Sequence, residues 1–285
     1  MGDYTIFHHI PWSGAYAVYF FTIGISAALF FFSALSWFRE EYLTLRAKAA
    51  YVSFALLLLS GALLVGDLSQ PLRFLNAVNP IYLNFASPLA WGALNLAAFG
   101  IVSVLYMLMV KKGNEALAKK LGVVGALLAL GLPVYTGFDL TVHQNRPVWN
   151  TPLMPVLFVA LSLVSGAAVA SFLAAGEARL VGALRQIMLW AVGGVGVMLV
   201  SLMGTTWYGG VGQELTFMAL TSGSLSLAFV WLGVILGTAV PIGLLLAPFG
   251  RQTGAVMLSA ALVLVGGMAL RYSILVGGQI VQTYF

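Results

Sequence analysis

The chain has 285 residues, 61% of them hydrophobic and 7% charged, with a formal net charge of +5 and no cysteine; its mean hydropathy is +1.01. A water-soluble domain needs polar helix faces that such a composition does not supply, and the lack of cysteine excludes disulfides, c-type haem attachment and iron–sulfur clusters ligated by this protein. The positive balance does not point to nucleic acid, because the basic residues follow a pattern that membrane topology explains.

From the N-terminus, Asp3 is the only charge before the first apolar run, which does not match the basic start of a cleavable secretory signal. His8 and His9 precede that run and read as exposed rather than functional. Stretches of about 20 apolar residues, apolar all round, suit a bilayer. Eight are legible, at 14–38, 49–67, 88–110, 121–140, 153–175, 182–204, 223–246 and 254–280. The fold class expected is an all-α integral membrane protein with eight transmembrane helices in a single polytopic domain.

Most connections are short. LSQPLRFLNAVNPIYLNFAS (68–87) is apolar and proline-bearing, which suits a segment lying along the membrane interface. TTWYGGVGQELTFMALTS (205–222) reads as a glycine-rich linker in which Glu214 is a solvated charge. Arg39, Arg46, Lys48, Lys111, Lys112, Lys119, Lys120, Arg179, Arg185 and Arg251 fall on one side of the spans; Arg73, Arg146 and Arg271 fall on the other. By the positive-inside rule the first side is cytoplasmic and both termini lie outside.

On the outer side the stretch GFDLTVHQNRPVWNTPLMP, Gly137 to Pro155, gathers an aspartate, a histidine and an arginine between the fourth and fifth spans. A charge near lipid is costly and marks a pathway or a site. Tyr135, Asp139 and His143 are spaced four apart, so a helix continued through them would stack them on one face as a file able to pass protons. The plainer reading is an interfacial tyrosine, a helix-end aspartate paired with Arg146, and a solvated histidine. Asp67, at the same level, either caps a turn or pairs with Arg73, or sits in the bundle as a proton carrier. Tyr16 and Tyr19 lie near the start of the first span, and an aromatic belt accounts for Trp12, Trp91 and Trp149. With three histidines, none in the middle of a span, a b-type haem between helices is not expected.

Five segments carry a resemblance: PWSGAYAVYFFTIGISAA, GDLSQPLRF, YTGFDL, NRPVWNTPLMPVLF and ALRYSILVGGQ. Together they resemble the NrfD-like family, the quinone-binding membrane subunits typified by that of polysulfide reductase, and the resemblance covers essentially the whole sequence. It implies a haem-free anchor in a bacterial or archaeal cytoplasmic membrane, joined to a ferredoxin-like iron–sulfur subunit and a molybdopterin catalytic subunit. It implies two four-helix bundles, 1–150 and 151–285, with a quinone site (menaquinone or ubiquinone) in the first near the outer face. Tyr135 matches the family's headgroup tyrosine. Tyr16 and Tyr19 stand where the polysulfide-reductase pattern has an asparagine and a histidine, and Asp67 lies within a turn of its acidic residue. The expected roles are quinone binding by Tyr135, Tyr19 and Tyr16, proton exchange by Asp67, Asp139 and His143, and structural ion pairs by Arg146 and Arg73. The rivals are a secondary transporter or proton-translocating membrane protein, for which mid-depth acidic residues are lacking, and a bare structural anchor, for which eight spans are excessive.

Overall fold

The structure is a computed structural model and describes residues 12–281, apart from residues 69 and 80 and the side chain of residue 77; Asp3, His8 and His9 lie outside the described residues. Among the described residues there is no strand, and eight helical segments are long and apolar enough to cross a membrane. The first is α1 (Gly14–Leu35), whose N-cap Ser13 accepts a hydrogen bond from Ala15 N–H. It packs against α2 (Arg46–Gly66), α4 (Glu115–Thr141), α5 (Leu153–Leu173) and α9 (Thr253–Ile280). Because α1 is apolar on every face it can be enclosed on every face, and 78% of its central stretch is buried.

Lipid supplies no hydrophobic drive between helices, so hydroxyl pairs and close packing hold α1 to α2. Thr22 and Ser60 lie 2.7 Å apart, and Ser26 and Ser53 each donate to the other's carbonyl at 2.8 and 2.7 Å. α3 (Pro88–Lys111) and α4 complete this group. α5, α6 (Ala178–Trp207), the seventh span and α9 pack on one another. The seventh span is a π-helical segment, Leu227–Ala239, running into α8 (Val240–Leu246), which has Pro241 in its first turn. The Thr238 hydroxyl donates to Gly233 O, five residues back, at 2.9 Å.

Segment 205–222 departs from the linker expected of it. α6 runs on to Trp207, and a further helix, α7 (Val211–Thr221), follows the Gly209–Gly210 break. Its buried residues Gly212, Thr216 and Leu220 recur every four positions, a helical spacing masked by the surrounding glycines. In 68–87, Pro71–Val78 forms a 3₁₀ helix that leaves Leu72, Leu75 and Arg73 exposed.

Arg271 requires a second correction. Grouped by sequence with the outer-side charges, it is fully buried inside α9, one guanidinium nitrogen donating to Gly267 O (3.1 Å) and another to Ser162 Oγ (3.2 Å). The rings of Phe21 and Phe158 flank it. With Ser162, Ser165 and Ser273 also buried, the later helices carry more polar groups at depth than their composition suggests.

The basic residues of the α1–α2, α3–α4, α5–α6 and α8–α9 connections share one end of the molecule. There Arg185 donates from Nε to Gly250 O (2.8 Å) and from a second nitrogen to Leu245 O, satisfying carbonyls left open where α8 stops. Tyr16, Asp67, Asp139 and the 142–152 connection lie at the opposite end.

Candidate functional site

Pro133 lies inside α4 and cannot offer the amide that would bond Ala129 O. Near this break, Asn95 of α3 donates to Leu128 O at 3.0 Å, tying α3 to α4. Two residues on, Tyr135 projects against α3, where Gly92 makes room for its ring: a Cβ at that position would overlap the ring carbons. A groove of about 440 Å³ opens beside it between α3 and α4, lined among others by Trp91, Asn95, Tyr135 and Phe138. Another groove, about 500 Å³ between α5 and α6, is larger but, Gln186 apart, lined by apolar side chains, so it offers little to recognise a polar headgroup.

Tyr135 meets the N-terminal half of α1. The Tyr19 hydroxyl is buried and has no hydrogen-bond partner among the described residues; it neighbours the Tyr135 hydroxyl without meeting it in hydrogen-bond geometry. Asp139, one turn along α4 from Tyr135, lies within electrostatic reach of Tyr16, Tyr19 and Tyr135. Asp67, at the C-cap of α2, accepts the Ser13 hydroxyl at 2.7 Å and lies close to Tyr16. Three phenols and two carboxylates from α1, α2 and α4 therefore converge at the end of the molecule away from the basic residues.

His143 does not extend that file along the helix. α4 stops at Thr141, and the imidazole turns to Trp12 and Trp149, with ring centroids 5.5 and 5.4 Å away. Burial, and after it the Arg146 charge, pushes His143 below the ordinary imidazole value of 6.5. Arg146 is buried and directed to α9 rather than to Asp67 or Asp139: it donates to Gly278 O at 2.6 Å and lies over Trp149, 4.7 Å from the ring centroid. Gly278 is in the last turn of α9, where carbonyls lack helical partners and a cation opposes the dipole favourably. Arg73 is exposed and forms no ion pair with Asp67.

Trp12 and Trp149 need more than a belt reading. Trp149 is fully buried, its indole N–H donating to Ile274 O at 2.7 Å. Trp12 stacks between Trp149 (5.0 Å) and Tyr16 (5.2 Å). Gln279, absent from the sequence-derived candidates, holds the Trp12 peptide: its Oε1 accepts from Trp12 N–H and its Nε2 donates to Trp12 O, both at 3.1 Å. Its only signal in the sequence is an amide side chain at the end of an apolar span.

These features define a polytopic helical membrane protein with a polar, hydroxyl-rich site at one end of its first four spans, reached from the side by an apolar groove. The protein belongs to the NrfD family: the model described as "Polysulphide reductase, NrfD" matches residues 5–282. It is 32% identical to the C subunit of polysulfide reductase from Wolinella succinogenes, over 98% of this protein and 97% of the relative. It is 29% identical to protein NrfD of Escherichia coli, over 96% of each. It is also 24% identical to the Hdr-like menaquinol oxidoreductase integral membrane subunit of Archaeoglobus fulgidus, over 98% of this protein and 74% of the relative.

Proposed function

We propose that this protein is the quinone-reactive membrane subunit of a multi-subunit oxidoreductase, exchanging two electrons and two protons between the membrane quinone pool and a peripheral partner. The observation that carries the proposal is the Tyr19 hydroxyl, buried beside Tyr135 without a hydrogen-bond partner among the described residues. An unsatisfied buried hydroxyl costs about 1–3 kcal/mol, and a ligand carbonyl accepting from it would remove that cost. The α3–α4 groove suits an apolar tail entering from lipid. The names of the relatives agree, since one is a menaquinol oxidoreductase subunit and another a component of polysulfide reductase.

Bound there, a quinone supplies the two-electron chemistry, and the protein supplies the rest. Tyr135 and Tyr19, whose hydroxyls are neighbours, would donate to one carbonyl oxygen and so orient the ring. Asp139, beside these phenols, resupplies their protons, and Asp67 with Ser13 gives a second exchange point next to Tyr16. His143, half-buried and kept neutral at ordinary pH, is a further group able to accept a proton. The positive-inside rule puts this end on the outer side of a bacterial or archaeal cytoplasmic membrane. There an iron–sulfur subunit, linked to a molybdopterin subunit, can dock close enough to pass electrons without haem in this protein.

Tyr135→Phe tests the proposal, because it removes the hydroxyl and keeps the ring that fills the space over Gly92. Quinol-linked turnover of the assembled complex is expected to fall about threefold to tenfold, the value of one hydrogen bond. Undiminished turnover rejects the role.

A further inference from the structure

We infer that Gln279, at the end of the last helix, is a positioning residue of the site: it clamps the Trp12 peptide and so sets the ring that roofs Tyr16. This rests on the quinone reading for its kinetic consequence and on geometry alone for its structural one. A single carboxamide satisfies both the N–H and the C=O of Trp12, each at 3.1 Å, as a neighbouring strand would. Those two groups precede the α1 helix, so no helical bond holds them.

What the clamp holds is the junction of the site. Trp12 lies beside Ser13, the residue that caps α1 and donates to Asp67. Its ring stacks on Tyr16 with planes 10° apart and on Trp149 at 22°, and meets His143 edge-on. The other face of this aromatic group is fixed to the same turn of α9, through Trp149 to Ile274 O and Arg146 to Gly278 O. The end of α9 is thus the seat on which the roof rests. Trp149 and Arg146 reach that seat without Gln279, whereas Trp12 is tied to α9 through Gln279.

Loss of the clamp should loosen Trp12 and Tyr16 without touching Tyr135 or Asp139, which weakens binding of the ground state and the transition state alike and so appears in KM rather than in kcat. In the intact membrane complex, with a short-tailed menaquinol analogue as substrate, Gln279→Leu is expected to raise KM about tenfold and leave kcat within about twofold. Trp12→Ala should do the same, and the double variant should be no worse than Trp12→Ala alone, because the two residues act as one unit. Hydrogen exchange at the Trp12 amide should rise in Gln279→Leu. Gln279→Glu keeps the acceptor, loses the donor and is expected to fall between, which also serves if the leucine variant does not assemble. Effects that multiply in the double variant, Trp12 exchange unchanged in Gln279→Leu, or a KM in Gln279→Glu equal to that of the unsubstituted protein, overturn the clamp. Should Tyr135→Phe leave turnover intact while Trp12 exchange still rises in Gln279→Leu, the quinone reading falls and the clamp stands.

Discussion

His143 shows how one residue takes its meaning from its surroundings. By spacing it belongs to a file with Tyr135 and Asp139, but α4 ends at Thr141 and the ring packs edge-on against two stacked tryptophans. Since burial and Arg146 lower its pKa, the folded protein binds this proton less well than the unfolded polypeptide. The sign follows directly. Above about pH 6.5 the group adds nothing to the pH dependence, and as pH falls below that value the unfolded state gains the proton first, so stability is lost. Thermal unfolding in detergent is expected to show this acid-side loss, and His143→Gln should flatten it; an unchanged slope would show that His143 is not its source. Tyr135 and Asp139 were legible as candidates because polar residues are rare in these spans. Trp12 and Trp149 were not, because an indole at a membrane boundary has an ordinary explanation and only contacts reveal another.

At the scale of elements, the last turn of α9 matters most. Gly278 lies directly under Trp149, and a Cβ there would overlap the indole around Nε1. The ring cannot retreat without giving up its bond to Ile274 O. Gly278→Ala is therefore expected to destabilise the protein by about 1–3 kcal/mol, the usual cost of overpacking, seen as a lower midpoint of thermal unfolding; Gly182→Ala, at an open position, is the control. The eight spans were legible throughout, since long apolar runs leave the backbone few ways to satisfy itself in lipid. α7 was missed because its four-residue repeat is carried by a glycine, a threonine and a leucine, which hydropathy alone does not join.

Across the whole molecule, the basic residues gather at one end and the phenol–carboxylate site at the other, with eight spans between. An even number of crossings returns the polypeptide to the side on which it began. Reporters fused before Met1 and after Phe285 are expected to read the same, non-cytoplasmic side, and a cytoplasmic signal from either would invert the topology. Removing the buried Arg271 from the outer tally only strengthens the asymmetry, because a guanidinium inside a bundle takes no part in orientation.

Composition and periodicity determined by themselves that this protein lies in a membrane, how many times it crosses and which end is basic. Those properties are set by transfer of each segment between water and lipid, a local quantity summed along the sequence. Tertiary structure alone decided that Tyr19 has no hydrogen-bond partner among the described residues beside Tyr135, that Arg146 donates to the end of α9, and that Gln279 holds a residue 267 positions away. Such pairings depend on which helix faces meet, and lipid is indifferent to apolar faces, so small residues and single hydrogen bonds choose among them.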